Sequence, residues 1–270
     1  MLRKLLPGTA LAGVATAALV RQQYLEWESM TLGSASAEEH LPLSAEAQPT
    51  HVVHVRRFLS DVEIEAGHAK HSELKPQLGS AGRNANNQAA SYRNGAWETS
   101  YLSTDGLFAK TMPELRQRLI SLAQTVDAQN WKLLDRATDP ILPRCVEYHT
   151  VEPGGSLPFV HHYDAGSLLT VDVMLSDSSE YEGGVFRTLE CDGSMKEHSF
   201  EKGDALIFVS HKFHCVSPVT AGRRQVLVME LWEGVERECA HRCERHTGYC
   251  GHTARASFWR RALSDLGSDL

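Results

Sequence analysis

The segment Phe159-Val160-His161-His162-Tyr163-Asp164 holds the densest chemistry in this chain. In an extended strand, residues two apart share a side. His162 and Asp164 would therefore present an imidazole and a carboxylate together, while His161 faces the other way with Tyr163. A third ligand would come from Phe208-Val209-Ser210-His211-Lys212-Phe213-His214-Cys215-Val216, which offers two histidines. Two imidazoles and one carboxylate hold ferrous iron from one face and leave three coordination positions open. A second cluster follows Trp232, where Cys239, Cys243 and Cys250 are interleaved with His241, His246 and His252. Three thiolates and one imidazole, for example Cys239, Cys243, Cys250 and His252, suit tetrahedral zinc. Disulfides among these cysteines, with Cys145, Cys191 and Cys215 elsewhere, are the alternative in an oxidising compartment, and free thiols are the third.

The spacing around the second histidine pair carries a resemblance. The run His214-Cys215-Val216-Ser217-Pro218-Val219-Thr220-Ala221-Gly222-Arg223-Arg224 resembles the distal motif of the prolyl 4-hydroxylase-like iron(II)/2-oxoglutarate-dependent dioxygenases. Glu182-Gly183-Gly184 resembles that family's Gly-Gly turn, and Lys202-Gly203-Asp204-Ala205-Leu206-Ile207-Phe208 its strand before the distal histidine. The resemblance covers about residues 51 to 235 and is tightest from 145 to 232. It selects His214 over His211, and Arg224 over Arg223. It implies iron(II) on His162, Asp164 and His214, with 2-oxoglutarate as co-substrate on Arg224, Tyr148 and Thr170. A planar guanidinium can hold the far carboxylate through two charge-assisted hydrogen bonds. Two hydroxyls nearby would satisfy the remaining lone pairs. The resemblance further implies dioxygen as oxidant, ascorbate as the rescuing reductant and hydroxylation of a C–H bond. Peptidyl proline is the default substrate, within a range of protein, peptide or small-molecule substrates. A cupin-like oxidase or JmjC-type demethylase also uses H-x-D and a distal histidine, but anchors its co-substrate elsewhere. A non-catalytic scaffold of the same fold is the remaining alternative.

Several elements must position these groups. His51 to Val55 reads as a short strand. Ser60 and Glu63 form a capping-box signature that starts a helix near Asp61 and carries it to Leu74. Residues 79 to 95, rich in Gly, Asn, Ala and Ser, read as a surface loop and candidate lid. Trp97 to Leu102 suits a strand. Thr111, Pro113 and Glu114 open a second helix, whose Leu115, Leu119, Leu122 and Val126 make one apolar stripe. From Arg144 onward short strands alternate with Gly-rich turns: 144–150, 157–163, 168–176, 184–189, 194–200, 204–210 and 223–232. In 168–176, Leu169, Val171, Val173 and Leu175 form an apolar face, while Thr170 and Asp172 point to the other side. The expected fold is α+β: a β-barrel-like core with the N-terminal helices packed against one side. The resemblance makes that core a double-stranded β-helix of jelly-roll or cupin-like type.

The chain has 270 residues and a net charge of −7 with histidine neutral. Such a balance argues against a general nucleic-acid binder, which needs a basic surface. Arg3 and Lys4 precede an apolar run from Leu5 to Val20, as in a secretory signal, with organelle import as the alternative. The endoplasmic reticulum lumen is the expected location, and membrane contact follows only if this run is retained as an anchor. The expected organisation is a targeting segment at 1–20, a linker at 21–50, the catalytic domain at 51–235 and a Cys/His-rich tail at 236–270.

Overall fold

The computed structural model describes residues 44–84, 86, 95–244, 250 and 253, so the leader-like residues 1–20 lie outside it. The chain divides into two compact units, residues 37–246 and residues 1–36 with 247–270, and every described strand lies in the first. No helix among the described residues is long and apolar enough to cross a membrane.

Among the described residues, four α-helices precede or flank the strands: α1 (Ser44–Ala47), α2 (Asp61–Leu74), α3 (Leu107–Thr111) and α4 (Pro113–Asn130). α2 begins where its capping box places it. The Ser60 side chain accepts from the Glu63 amide, and the Glu63 carboxylate accepts from the Ser60 amide. α4 starts with Pro113 in its first turn and buries Leu119, Ile120, Ala123 and Val126.

The larger sheet has seven antiparallel strands in the order β1 (Val53–Val55), β10 (Ala205–Val209), β6 (Leu169–Met174), β13 (Arg224–Glu233), β4 (Ile141–Val151), β3 (Trp97–Tyr101) and β2 (Gly79–Arg83). The smaller sheet runs β5 (Leu157–His162), β11 (His214–Val216), β8 (Phe186–Leu189) and β9 (Met195–Glu197). A separate ribbon pairs β12 (Val219–Gly222) with β7 (Tyr181–Gly183).

Alternation sorts the large sheet's side chains into two cores. Leu169, Val171 and Val173 of β6 join Ile207, Leu227 and Met229 against Ile64 and the apolar stripe of α4. Met174, Leu206, Phe208 and Val226 turn the other way, and meet Phe186 and Val216 of the smaller sheet. The helices thus pack on one face of the large sheet, and a cavity opens on the other.

Two expectations change. The run 79–95 begins as strand β2, paired with β3 from Gly79↔Tyr101 to Arg83↔Trp97; Ala85 and residues 87–94 lie outside the described residues. The expected strand 184–189 starts only at Phe186, as β8, because Gly184 takes positive φ right after β7 ends.

Candidate active site

β5 ends at His162, and Asp164 follows in the turn, so the two ligands do not share a strand as the spacing suggested. They still converge. Asp164 Oδ1 lies 3.5 Å from His162 Nε2 and 3.9 Å from His214 Nε2. His162 and His214 face each other as partners across β5 and β11. Their rings stand 5.0 Å apart and nearly perpendicular. One donor atom from each of the three residues falls within 4.8 Å of the others.

Two of the three candidate ligands, His214 and Asp164, are held by neighbours. His214 Nδ1 lies 2.9 Å from the Lys212 carbonyl oxygen. That carbonyl can only accept, so Nδ1 carries the proton and Nε2 keeps a lone pair toward the cavity. The Asp164 amide donates to the Ser210 carbonyl at 2.8 Å, and Asp164 Oδ2 accepts from the Thr170 hydroxyl at 2.7 Å. Burial raises the Asp164 carboxyl, but His214, His162 and Arg242 outweigh it and hold it well below the usual carboxylate range. Burial likewise lowers His214, keeping its imidazole neutral as a metal ligand must be.

The three ligands line a cavity of about 330 Å³ whose wall also includes Arg224, Asp172, Phe186 and Phe208. Arg224 opens β13 and is 3% exposed. Burial lowers its pKa, while the Tyr181 hydroxyl bonds its guanidinium. Its Nε has no hydrogen-bond partner among the described residues. A buried guanidinium N–H without an acceptor is costly, and a ligand carboxylate would satisfy it. Gly184 explains how Arg224 fits: a Cβ there would stand 2.7 Å from Arg224 Cδ. Arg223 instead lies at the surface, paired with Glu152 at 2.8 Å.

Two residues expected to contact the co-substrate are engaged otherwise. Tyr148 points to the helix side of β4, where its hydroxyl meets His68 Nδ1 at 2.5 Å and its ring stacks on His71. Its strand neighbours Glu147 and His149 line the cavity in its place. Alternation decides this, and β4 is buried on both faces, so no polar–apolar pattern revealed which residues turn inward. Thr170 does face inward, but its hydroxyl is committed to Asp164 and to Ser210 Oγ at 2.9 Å. His161 packs edge-on against Phe213 and His211 is tilted against Tyr163, and neither lines the cavity that holds the trio.

The sequence reading missed several wall residues. Trp97 Nε1 donates to His149 Nδ1 at 2.6 Å, and His149 Nε2 bonds Glu147 at 2.9 Å. Arg242, from the irregular segment after β13, pairs with Glu230 at 2.8 Å and stands 3.6 Å from Asp164 Oδ1. Gln48, expected in a linker, donates to the His211 carbonyl at 2.8 Å and accepts from the Phe213 amide at 3.0 Å, bracing the loop before His214. Only the i, i+2 pattern of β13 offered a signal for Glu230; Arg242 and Gln48 lie outside any periodic element.

No family model matches the chain, and no curated protein matches it. Solved structures do. The non-haem α-ketoglutarate-dependent epimerase SnoN of nogalamycin biosynthesis superposes with a TM-score of 0.53 at 17% identity, over 78% of this chain and 95% of that one. The carbocyclase SnoK of the same pathway gives 0.50 at 16% identity, over 82% and 98%. A prolyl hydroxylase from Trichoplax adhaerens, in complex with a hypoxia-inducible-factor peptide fragment, gives 0.50 at 16% identity, over 71% and 87%. At these identities the likeness concerns architecture: the chain has the double-stranded β-helix fold of the non-haem, 2-oxoglutarate-dependent oxygenases, with its helices against the larger sheet.

Proposed function

We propose that this protein is an iron(II)- and 2-oxoglutarate-dependent oxygenase that hydroxylates a C–H bond. One observation carries the reading. Two imidazoles and a carboxylate converge within 4.8 Å in the cavity that also holds a buried arginine with an unmatched N–H. The donor set suits ferrous iron bound on one face, and Arg224 suits the far carboxylate of a dicarboxylic keto acid.

His162, Asp164 and His214 would hold the metal, and Arg224, with the Tyr181 hydroxyl beside it, would hold 2-oxoglutarate. When bound, the iron couples oxidative decarboxylation of the keto acid, to succinate and carbon dioxide, to insertion of one oxygen atom into substrate. The chain does the rest. Lys212 and Thr170 fix the orientation of two ligands. Leu157, Phe186, Phe208 and Val216 supply an apolar lining that keeps water from the reacting centre. His149 and Glu147 offer a polar wall for orienting substrate.

A peptidyl proline remains the first substrate to test, supported by the resemblance around His214 and by the architecture shared with the Trichoplax prolyl hydroxylase. The SnoN likeness adds small natural-product substrates to the screen. Ascorbate would serve to reduce iron oxidised in uncoupled turnover. The apolar run at residues 5–20 supports a secretory location, which N-terminal sequencing of the mature protein would test.

Purified protein supplied with ferrous iron should convert 2-oxoglutarate to succinate, slowly even without substrate. The His162→Ala and Asp164→Ala proteins should not. Succinate formation at the parent rate by the His162→Ala protein would remove the assignment.

A further inference from the structure

Beyond Trp232 the chain has no regular secondary structure from Val235 to Glu244, yet it is tied down at nearly every step. Trp232 Nε1 donates to the Val235 carbonyl at 2.9 Å. The Arg237 amide donates to Pro143 O, and the Glu238 carbonyl accepts from the Asp105 amide, both at 3.1 Å. Arg144 Nε donates to the Cys243 carbonyl at 2.5 Å. Within this segment Cys239 and Cys243 are buried at 2% and 0% exposure. Their sulfurs and a ring nitrogen of His241 lie within 4.8 Å of one another. No disulfide forms among the described cysteines.

None of these three side chains lines the oxygenase cavity. An irregular segment that buries two thiols beside an imidazole buries little apolar surface of its own, and a metal ion would fasten it. Two soft sulfurs and one imidazole nitrogen within 4.8 Å of one another form a donor set for zinc and a poor one for a magnesium- or calcium-type ion. The grouping Cys145, Glu147 and Glu230 is a weaker candidate, because Arg242 and Arg144 already pair with Glu230.

We propose that Cys239, His241 and Cys243 bind a structural zinc ion. The chain supplies His241 here, where the sequence pattern had suggested His252, which lies outside the described residues. Zinc in a structural site takes four ligands, and this segment supplies three of them. The site has a particular consequence. Arg242 sits between two ligands, His241 and Cys243, and its guanidinium enters the cavity wall 3.6 Å from Asp164. The zinc would anchor both ends of the short backbone stretch that presents this arginine.

The zinc assignment stands independently of the iron assignment, and the test separates them. A His162→Ala/His214→Ala protein leaves the first site without its imidazoles, so bound metal reports on the second. After chelator-free purification this protein should hold one zinc per chain by elemental analysis. Iodoacetamide should spare Cys239 and Cys243 in the native protein and label both once zinc is stripped. Cys145, 0% exposed, should stay unlabelled throughout and so report that the fold is intact. Cys243→Ser in the same background should lose the zinc, and His241→Cys should retain it. If Cys243→Ser fails to fold, the labelling pattern of the folded protein decides. Absence of zinc with both cysteines labelled in the native state would overturn the proposal. So would a mass lower by two hydrogens that a phosphine reductant restores, since that would mark a disulfide.

Discussion

Asp164, the carboxylate of the proposed iron site, has its second oxygen held by one hydroxyl, that of Thr170. Removing that bond leaves the carboxylate buried and free to turn. Outer-shell bonds of this kind are worth about 10- to 100-fold in metal affinity, so Thr170→Val should weaken ferrous iron binding by roughly that factor while preserving the fold. Anaerobic metal titration would check it, and unchanged affinity would show that Ser210 and the backbone suffice. Arg224 makes a second prediction. Arg224→Ala should raise the KM for 2-oxoglutarate by more than about 10-fold, since charge-assisted bonds to a buried carboxylate are worth about 1.5–3 kcal/mol. Arg224→Lys should recover part of the loss, because ammonium keeps the charge but not the planar fork. An Ala variant with the parent KM would place the co-substrate elsewhere.

Elements supply the precision these residues need. α2 starts at its capping box, so Ser60→Ala should cost about 1 kcal/mol of stability, measured as a shift in the urea midpoint at constant slope. The box was legible because two side chains three residues apart define it without help from the rest of the fold. Strands were legible where one face is apolar and the other polar, as with Leu169/Val171 against Thr170/Asp172 in β6. They were illegible where both faces are buried, as in β4, where Tyr148 faces the helices while Glu147 and His149 face the cavity. β2 could not be read either. Gly-Ser-Ala-Gly-Arg has no strand signature of its own, and its pairing with β3 makes it a strand. His162 and Asp164 come together as their spacing suggested even though Asp164 left the strand, because a turn beginning right after His162 still returns the carboxylate to the same neighbourhood; spacing alone left His211 and His214 both open.

At the scale of the whole molecule, acid should unfold the protein partly through His71. Burial lowers its pKa from 6.5 to about 4, with Lys75 and His68 adding to the effect. It sits between Ser100, 3.1 Å from its Nε2, and the Tyr148 ring. The unfolded chain takes up this proton before the folded one does, so stability present above pH 6.5 is lost as pH falls toward 4. Burial depresses His198 in the same direction, also to about 4. Urea midpoints should therefore fall between pH 6.5 and 4, and His71→Gln should flatten that slope. In an NMR titration the His71 ring should stay neutral until near pH 4; a midpoint near 6.5 would contradict the burial seen here.

β13 carries Arg224, Val226, Val228 and Glu230 into the cavity at alternate positions, over about 20 Å of strand. Both ends of the pocket, the buried guanidinium of Arg224 and the acid that receives Arg242, are thereby set by the phase of one ribbon. Exchanging any one of these side chains alters one contact. Inserting or deleting a single residue between Arg224 and Glu230 would turn one end of the ribbon over, sending either Arg224 or Glu230 toward the helices. Lineages carrying this pocket should accordingly keep the length of this stretch fixed even where single side chains along it change.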